Sequence, residues 1–270
     1  DATPGGTWVS LDPAIATVGV GTGVITGMSA GTTIVTYTLP TGCNDTIVVS
    51  VYPVPVAISG PSDVCQGSTI NLSNATPGGV WSTSNALVAT IGGTSGLLTG
   101  VGSGTAIITY SISGGCRATT VITVHPLPLS ITGAASVCAG STIALSSLTP
   151  GGLWTSADPA IATIGSLSGL ALGVSAGATT ITYTLPTGCY TTRGISINPV
   201  PSPISGLPQV CVGQTTILSD GTPGGSWSSS APAIGTVGAV SGIVGGISAG
   251  ITTIDYTLPT GCSAQTTFTV

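Results

Sequence analysis

Charged side chains are scarce in this sequence of 270 residues. It contains no Lys and no Glu, seven Asp, and two Arg, at Arg117 and Arg193, so charged residues make up 3% of the chain. An ordinary soluble domain is about 25% charged. So few basic groups cannot form a patch that neutralises phosphates, which excludes nucleic acid as a partner. The same shortage excludes a basic helix lying on a membrane surface.

Groups that perform acid–base chemistry are also scarce. The one histidine, His125, precedes a proline-rich connection, and the Asp residues are spread singly along the chain. Hydroxyl groups are abundant, but no neighbouring base is present to activate one as a nucleophile. Asp12 and Asp158 each precede a proline, where an Asx-type turn explains them better than a calcium site. We therefore expect no catalytic residue, no cofactor and no metal site.

Long hydrophobic runs are missing too. No apolar stretch approaches the roughly 18 residues of a transmembrane helix, and no signal peptide opens the sequence. We expect no membrane insertion in this segment, which does not itself indicate how the protein is exported or anchored.

The residues that are abundant favour β structure. Hydrophobic residues make up 41% of the chain, enough to form a core, and 42 Gly and 19 Pro punctuate it. Thr and Val favour strands, whereas Gly and Pro favour turns. This composition predicts an all-β protein whose surface is formed largely by Ser and Thr.

A repeat of 73 residues, without insertion or deletion, organises the sequence. Its markers are Trp8, Trp81, Trp154 and Trp227; Tyr37, Tyr110, Tyr183 and Tyr256; Cys43, Cys116, Cys189 and Cys262; and Cys65, Cys138 and Cys211. We predict four repeats, at 1–52, 53–125, 126–198 and 199–270. The first has no counterpart of residues 53–73, so we expect a segment of a longer array. The alternative is a subunit whose first domain is completed by strands of a neighbour.

Each repeat has the pattern of a small β-sandwich. Val35, Tyr37 and Leu39 alternate with Thr, the other copies repeat this alternation, and a Gly-Cys turn leads into a second alternating run. About seven such short strands indicate an immunoglobulin-like sandwich with its Trp in the core. Pro-Val-Pro or Pro-Leu-Pro connects the repeats, and alternate prolines favour stiff polyproline II geometry. The expected fold is a tandem array of immunoglobulin-like β-sandwich domains forming an extended rod.

These motifs resemble the group-2 bacterial Ig-like domain of intimin- and invasin-type surface proteins. The matching positions are Gly67, Gly140 and Gly213 before the second strand, the Trp-Ser segments, Ala16-Thr17-Val18, Gly23-Val-Ile-Thr-Gly27, and the Ser-Ala-Gly-Thr turn at Ser29–Thr32. The added cysteines are similar to those of long repeat adhesins on Bacteroidetes surfaces. The resemblance covers essentially the whole chain and implies an extracellular, cell-surface location. It carries over no catalytic residue.

The seven cysteines suggest disulfides rather than metal ligands, because no Cys-x-x-Cys pair is present. Pairing within repeats would join Cys65 to Cys116, Cys138 to Cys189, and Cys211 to Cys262. Pairing between repeats would join Cys65 to Cys189 and Cys138 to Cys262, with Cys43, Cys116 and Cys211 paired outside this segment. The first arrangement would have to span roughly 20 Å of strand, whereas a disulfide tolerates less than about 7 Å between Cα atoms. Sandwich topology therefore favours pairing between repeats. Bends in the strands leave pairing within repeats open.

The leading functional hypothesis is a structural stalk or filament segment of a bacterial surface adhesin, without catalysis. Its partners would be neighbouring repeats of the same longer chain, with lateral or end-to-end self-association; the adhesion ligand is not specified. One alternative is a ligand- or carbohydrate-binding module, against which the near-identical loops of the four copies argue. Another is a set of accessory repeats in a secreted polysaccharide-active enzyme.

Overall fold

The computed structural model describes residues 3–270, so Asp1 and Ala2 of the predicted first repeat lie outside the described residues. The regular structure of 3–270 is β apart from one 3-10 turn at Ser113–Gly115, which confirms the all-β prediction. No helix in this part of the chain is long and apolar enough to cross a membrane. Two compact units divide the chain, Asp1–Leu127 and Pro128–Val270.

Unit one contains twelve strands within its described residues, 3–127. Those before residue 53 are β1 (Thr7–Ser10), β2 (Ala16–Val18), β3 (Ile25–Gly27), β4 (Gly31–Thr38) and β5 (Asn44–Val51). The remainder are β6 (Asp63–Cys65), β7 (Thr69–Asn71), β8 (Val80–Thr83), β9 (Ala89–Ile91), β10 (Leu97–Gly100), β11 (Gly104–Ser111) and β12 (Arg117–His125). The first group forms sheets β1-β4-β5 and β2-β3. The second forms sheets β6-β12-β11-β8 and β7-β10-β9.

Unit two contains fourteen strands. The first seven are β13 (Ser136–Cys138), β14 (Thr142–Ala144), β15 (Leu153–Ser156), β16 (Ala162–Ile164), β17 (Leu170–Gly173), β18 (Gly177–Thr184) and β19 (Tyr190–Asn198). The last seven are β20 (Ser205–Gly206), β21 (Thr215–Ser219), β22 (Ser226–Ser229), β23 (Gly235–Val237), β24 (Ile243–Gly246), β25 (Ile251–Thr257) and β26 (Ser263–Thr269). Their sheets are β13-β19-β18-β15 with β14-β17-β16, and β20-β21-β24-β23 with β22-β25-β26.

Two sheets enclose one apolar core in each of the three later repeats. In the second repeat the core includes Leu98 from the smaller sheet and Ile108 and Ile122 from the larger, all fully buried. Alternate residues of β11 follow the predicted pattern, with Ala106, Ile108 and Tyr110 buried between more exposed neighbours. The third and fourth repeats have equivalent clusters. These sheet pairs give the β-sandwich that the alternation predicts.

The repeated Trp and Tyr form a cross-strand pair in every copy. Trp154 lies opposite Tyr183, with ring centroids 4.5 Å apart, and the other three pairs are at 4.6–4.7 Å. The Tyr183 hydroxyl donates to the Thr149 carbonyl at 2.7 Å and accepts from the Gly152 amide at 2.8 Å. Trp81, Trp154 and Trp227 are buried, which confirms the core role predicted for them. The pair thus fixes the turn before each Trp strand onto the sheet that contains that strand.

Candidate functional site: the cysteine junctions

The strand that carries Cys138 runs beside the end of the third repeat. β13 pairs in parallel with β19, which places Cys138 opposite Asn198. Asn198 is the last residue of β19 and is followed by the connection Pro199-Val-Pro201. The Cys138 side chain therefore lies at the edge of the sheet where the chain leaves this repeat.

Cys262 lies in the hairpin turn between β25 and β26. The Leu258 amide donates to the Cys262 carbonyl and the Gly261 amide to the Leu258 carbonyl, both at 2.9 Å. Gly261 has a φ of +87°, a conformation that residues with a Cβ rarely adopt. The Pro-Thr-Gly-Cys sequence thus closes a tight turn, and its cysteine side chain is buried.

A disulfide joins these two cysteines. Their Cα atoms are 5.7 Å apart and they are separated by 124 residues in sequence, a Cα distance in the usual range for a disulfide. Neither cysteine pairs within its own repeat, and Cys211, which the within-repeat arrangement would join to Cys262, is free and exposed. The third and fourth repeats are therefore linked twice, through the connection at 198–201 and through this bond.

Cys65 and Cys189 each take part in a disulfide. Cys65 ends β6, opposite His125, which is the position equivalent to Cys138. Cys189 is fully buried in the turn between β18 and β19, the position equivalent to Cys262. Cys43, Cys116 and Cys211 are free in the described chain, and pairing of these three outside this segment stays a prediction.

The second proline of each connection is anchored to the repeat that follows it. Pro55, Pro128 and Pro201 are buried, whereas the first prolines, Pro53, Pro126 and Pro199, are exposed. The residue after each buried proline donates its backbone amide to a Thr hydroxyl of the Thr-Pro-Gly-Gly turn: Val56 to Thr76 at 3.1 Å, Leu129 to Thr149 at 2.9 Å, and Ser202 to Thr222 at 2.8 Å. The chain is thus fixed where it leaves the connection, which limits the free linker to two or three residues.

The first connection also contacts the second repeat through a glycine. A Cβ on Gly114 would overlap the ring of Tyr52, so only glycine allows this approach. The Cys116 thiol donates to the Tyr52 carbonyl at 4.0 Å. This contact explains why the second repeat has Ser-Gly-Gly-Cys where the other copies have Pro-Thr-Gly-Cys.

An acid–base pair lies beside Cys65. The Asp63 carboxylate contacts His125 Nε2 at 2.8 Å and accepts a hydrogen bond from Ser62 Oγ at 2.7 Å. The hydrogen bond from Ser62, together with the His125 interaction, lowers the pKa of Asp63. Sequence reasoning missed this pair because the partners are 62 residues apart and meet only through the parallel register of β6 and β12.

Other predicted polar positions have local structural roles. The Asp12 and Asp158 carboxylates each accept the amide two residues ahead, from Ala14 and Ala160, at 3.0 Å, which confirms the predicted Asx turns. Within residues 3–270, no three His, Cys or Asp side chains are grouped as metal ligands would be.

No family model and no curated protein matches this chain. Similar solved structures include a C-terminal fragment of intimin in complex with the intimin-binding domain of its translocated receptor, at 15% identity over 55% of this chain and 67% of that one, with a TM-score of 0.36. Invasin, described as a bacterial integrin-binding protein, has 17% identity over 98% and 71%, with a TM-score of 0.37. Drosophila N-cadherin EC1–4 has 12% identity over 99% and 92%, with a TM-score of 0.25. The chain is thus similar to intimin and invasin domains, at a level too low to transfer a function.

Proposed function

We propose that this chain is a structural segment of an extracellular stalk or filament at a bacterial cell surface, and that it performs no catalysis. The observation that carries the proposal is the disulfide between Cys138 and Cys262. A bond between consecutive repeats restrains the angle between two domains, which a single binding domain would not need.

The anchored connections support the same function. A free linker of two residues, Pro199 and Val200 for the last connection, leaves little conformational freedom between repeats. A spacer needs this restraint, because a flexible tether would sample compact conformations in which its two ends are not held apart. Disulfides also persist in oxidising compartments, which favours an extracellular location.

The sameness of the four copies favours a spacer over a dedicated binding module. The Trp–Tyr pair, the Tyr hydroxyl bridge and the Pro-Thr-Gly-Cys type of turn recur at a constant interval. A specific ligand would require one loop to differ in shape or chemistry from its counterparts. The partners proposed here are accordingly neighbouring repeats of the same array, with lateral or end-to-end self-association.

Small-angle scattering of the full oxidised chain tests this proposal. Sandwiches about 30 Å long joined by connections of roughly 12 Å give about 160 Å for four repeats placed end to end. We expect a maximum dimension near that value and a pair-distance distribution typical of an elongated particle. A maximum dimension near 60 Å, the size of a compact protein of this length, would refute the spacer function.

A matched variant isolates the role of the disulfide. In Cys138→Ser/Cys262→Ser, we expect the distribution at long distances to broaden, because the last two repeats then vary in angle. The control is Cys211→Ser, which changes a free, exposed cysteine and should leave the profile of the oxidised chain unchanged. An identical profile for the double variant would show that the connections alone set the angle.

A further inference from the structure

The residue that follows each proline connection is bound at its carbonyl as well as at its amide in the second and third repeats. Asn74 Nδ2 donates to the Val56 carbonyl at 2.6 Å, and Ser147 Oγ donates to the Leu129 carbonyl at 2.9 Å. These bonds add to those that the Val56 and Leu129 amides donate to Thr hydroxyls. Each of these two residues is therefore clamped on both of its backbone groups.

The fourth repeat has an aspartate at the donor position of this clamp. By the 73-residue interval, Asp220 corresponds to Asn74 and Ser147, and Ser202 is the residue to be clamped. The Ser202 amide donates to Thr222 Oγ1 at 2.8 Å, so the amide half of the clamp is intact. The carbonyl half differs, because an ionised carboxylate accepts hydrogen bonds and cannot donate one.

The turn orients the Asp220 carboxylate as it orients the Asn74 amide. Asp220 Oδ1 accepts the Thr222 amide at 2.7 Å, and Asn74 Oδ1 accepts the Thr76 amide at 2.9 Å. Because Oδ1 is fixed in the same way, Oδ2 takes the place of Asn74 Nδ2, on the side of the Ser202 carbonyl. In the part of the chain that the structure describes, Asp220 Oδ2 is buried and has no hydrogen-bond partner. Two acceptor oxygens thus stand where the other repeats have a donor and an acceptor.

The surroundings of Asp220 provide no cationic side chain to satisfy these oxygens. The fourth repeat has one other charged residue, Asp255, which is also an acid. The titratable group that contacts the turn is Tyr256, whose hydroxyl donates to the Thr222 carbonyl at 2.6 Å. Cys211 of the same repeat is exposed. A buried charged oxygen without a partner is unfavourable, and a proton is the smallest group that would join the two oxygens.

We propose that Asp220 is an acid-operated latch on the last connection. In acid, Oδ2 takes up a proton from solvent and donates a hydrogen bond to the Ser202 carbonyl, which completes the clamp. At neutral pH the carboxylate is ionised, the two oxygens repel each other, and Ser202 is held by its amide alone. Asp220 is half-buried, so its carboxyl group stays within reach of solvent. This inference concerns the connection itself and is independent of the spacer function.

Hydrogen exchange at the Ser202 and Thr222 amides tests the latch in the full oxidised chain, with a chelator present. Protection factors are compared between the parent and Asp220→Asn at about pH 7 and at about pH 3, below the ordinary Asp pKa of about 3.9. The Asn side chain donates at both pH values, as Asn74 does. We expect about fivefold greater protection in Asp220→Asn at neutral pH, as for one added hydrogen bond, and equal protection in acid.

Three further variants control this comparison. Asn74→Asp installs the acid in the second repeat, where protection of the Val56 amide should fall about fivefold at neutral pH and return in acid. Asp220→Ser, which copies the third repeat, should behave like Asp220→Asn, and it keeps the test decisive if Asn74→Asp unfolds the second repeat. Asp158→Asn changes an exposed Asx-turn carboxylate and should leave the protection of Ser202 unchanged at both pH values.

Three results would overturn the proposal. Equal protection of the parent and Asp220→Asn at neutral pH would mean that the Ser202 carbonyl already has a donor. A difference that persists in acid would show that protonation does not close the clamp. If calcium added without chelator at neutral pH raises the protection of the parent to that of Asp220→Asn, a metal ion and not a proton joins the two oxygens.

Discussion

The Tyr183 hydroxyl satisfies two backbone groups at once, the Thr149 carbonyl and the Gly152 amide. The Tyr183→Phe substitution leaves both without that partner in a partly buried turn, which costs about 1–3 kcal/mol per unsatisfied group. We expect the third repeat to lose about 2 kcal/mol, seen as faster hydrogen exchange in β18. Tyr190→Phe, at an exposed position, is the control. Unchanged exchange in Tyr183→Phe would mean that water replaces the hydroxyl at no cost.

The Asp63 carboxylate gives a pH prediction. Because its pKa is lowered in the folded chain, its stabilising contribution is present above the ordinary Asp pKa of about 3.9 and is lost as the pH falls through the lowered value. We expect Ser62→Ala and His125→Asn each to raise the pKa of Asp63, measured by carbon NMR of the carboxyl group. Ser103→Ala, an exposed serine in the same repeat, should leave that pKa unchanged. A Ser62→Ala titration identical to that of the parent would refute the hydrogen bond as the main cause.

At the residue scale, the role of a side chain was predictable where it depends on neighbours in the sequence. The alternation around Tyr37 predicts which residues face the core, and Pro13 and Pro159 indicate the Asx turns at Asp12 and Asp158. The Asp63–His125 contact was not predictable, because it depends on the register of strands distant in sequence. The Tyr hydroxyl bridge spans 31 and 34 residues and has the same origin.

At the scale of the element, the turn that holds Cys262 and the strand that holds Cys138 form one covalent unit. Opening that bond frees a loop of 124 residues, which in the chain-entropy model costs about 5 kcal/mol. We expect Cys138→Ser/Cys262→Ser to lower the unfolding temperature of residues 128–270 in calorimetry, and Cys211→Ser to leave it unchanged. An unchanged unfolding temperature in the double variant would show that the two repeats unfold independently of the bond.

Element boundaries are identical in the 73-residue register in the second and third copies, but they differ in the fourth. Its Gln209–Cys211 segment makes one parallel bridge, from Gln209 to Thr269, where the earlier copies form β6 and β13. The four-strand sheet of this copy instead contains β20 paired with β21. A sequence period predicts equivalent positions, whereas the pairing of each strand with its neighbours determines where the strand begins and ends.

At the scale of the whole molecule, the scarcity of cationic residues limits where trypsin can cut. Arg117 and Arg193 both lie in strands, β12 and β19, and Arg193 donates to the Ile131 and Gly133 carbonyls at 2.7 Å. We expect the oxidised chain to resist trypsin, because cleavage requires local unfolding of a strand. Val240→Lys places a cleavable residue in an exposed turn and should be cut there. Rapid cleavage of the parent at Arg193 would mean that its strand opens readily.

The bond between Cys138 and Cys262 also determines which part of the chain would carry a mechanical load. A pull applied at residues 128 and 270, the two ends of the second unit, passes from residue 138 through the bond to residue 262, so the 123 residues between them bear none of it. Their extended length of roughly 400 Å cannot be released while the bond is intact. In single-molecule stretching, this contour length should appear only after reduction. In an array linked by such bonds, the disulfides would have to be reduced before the repeats could unfold and lengthen under load.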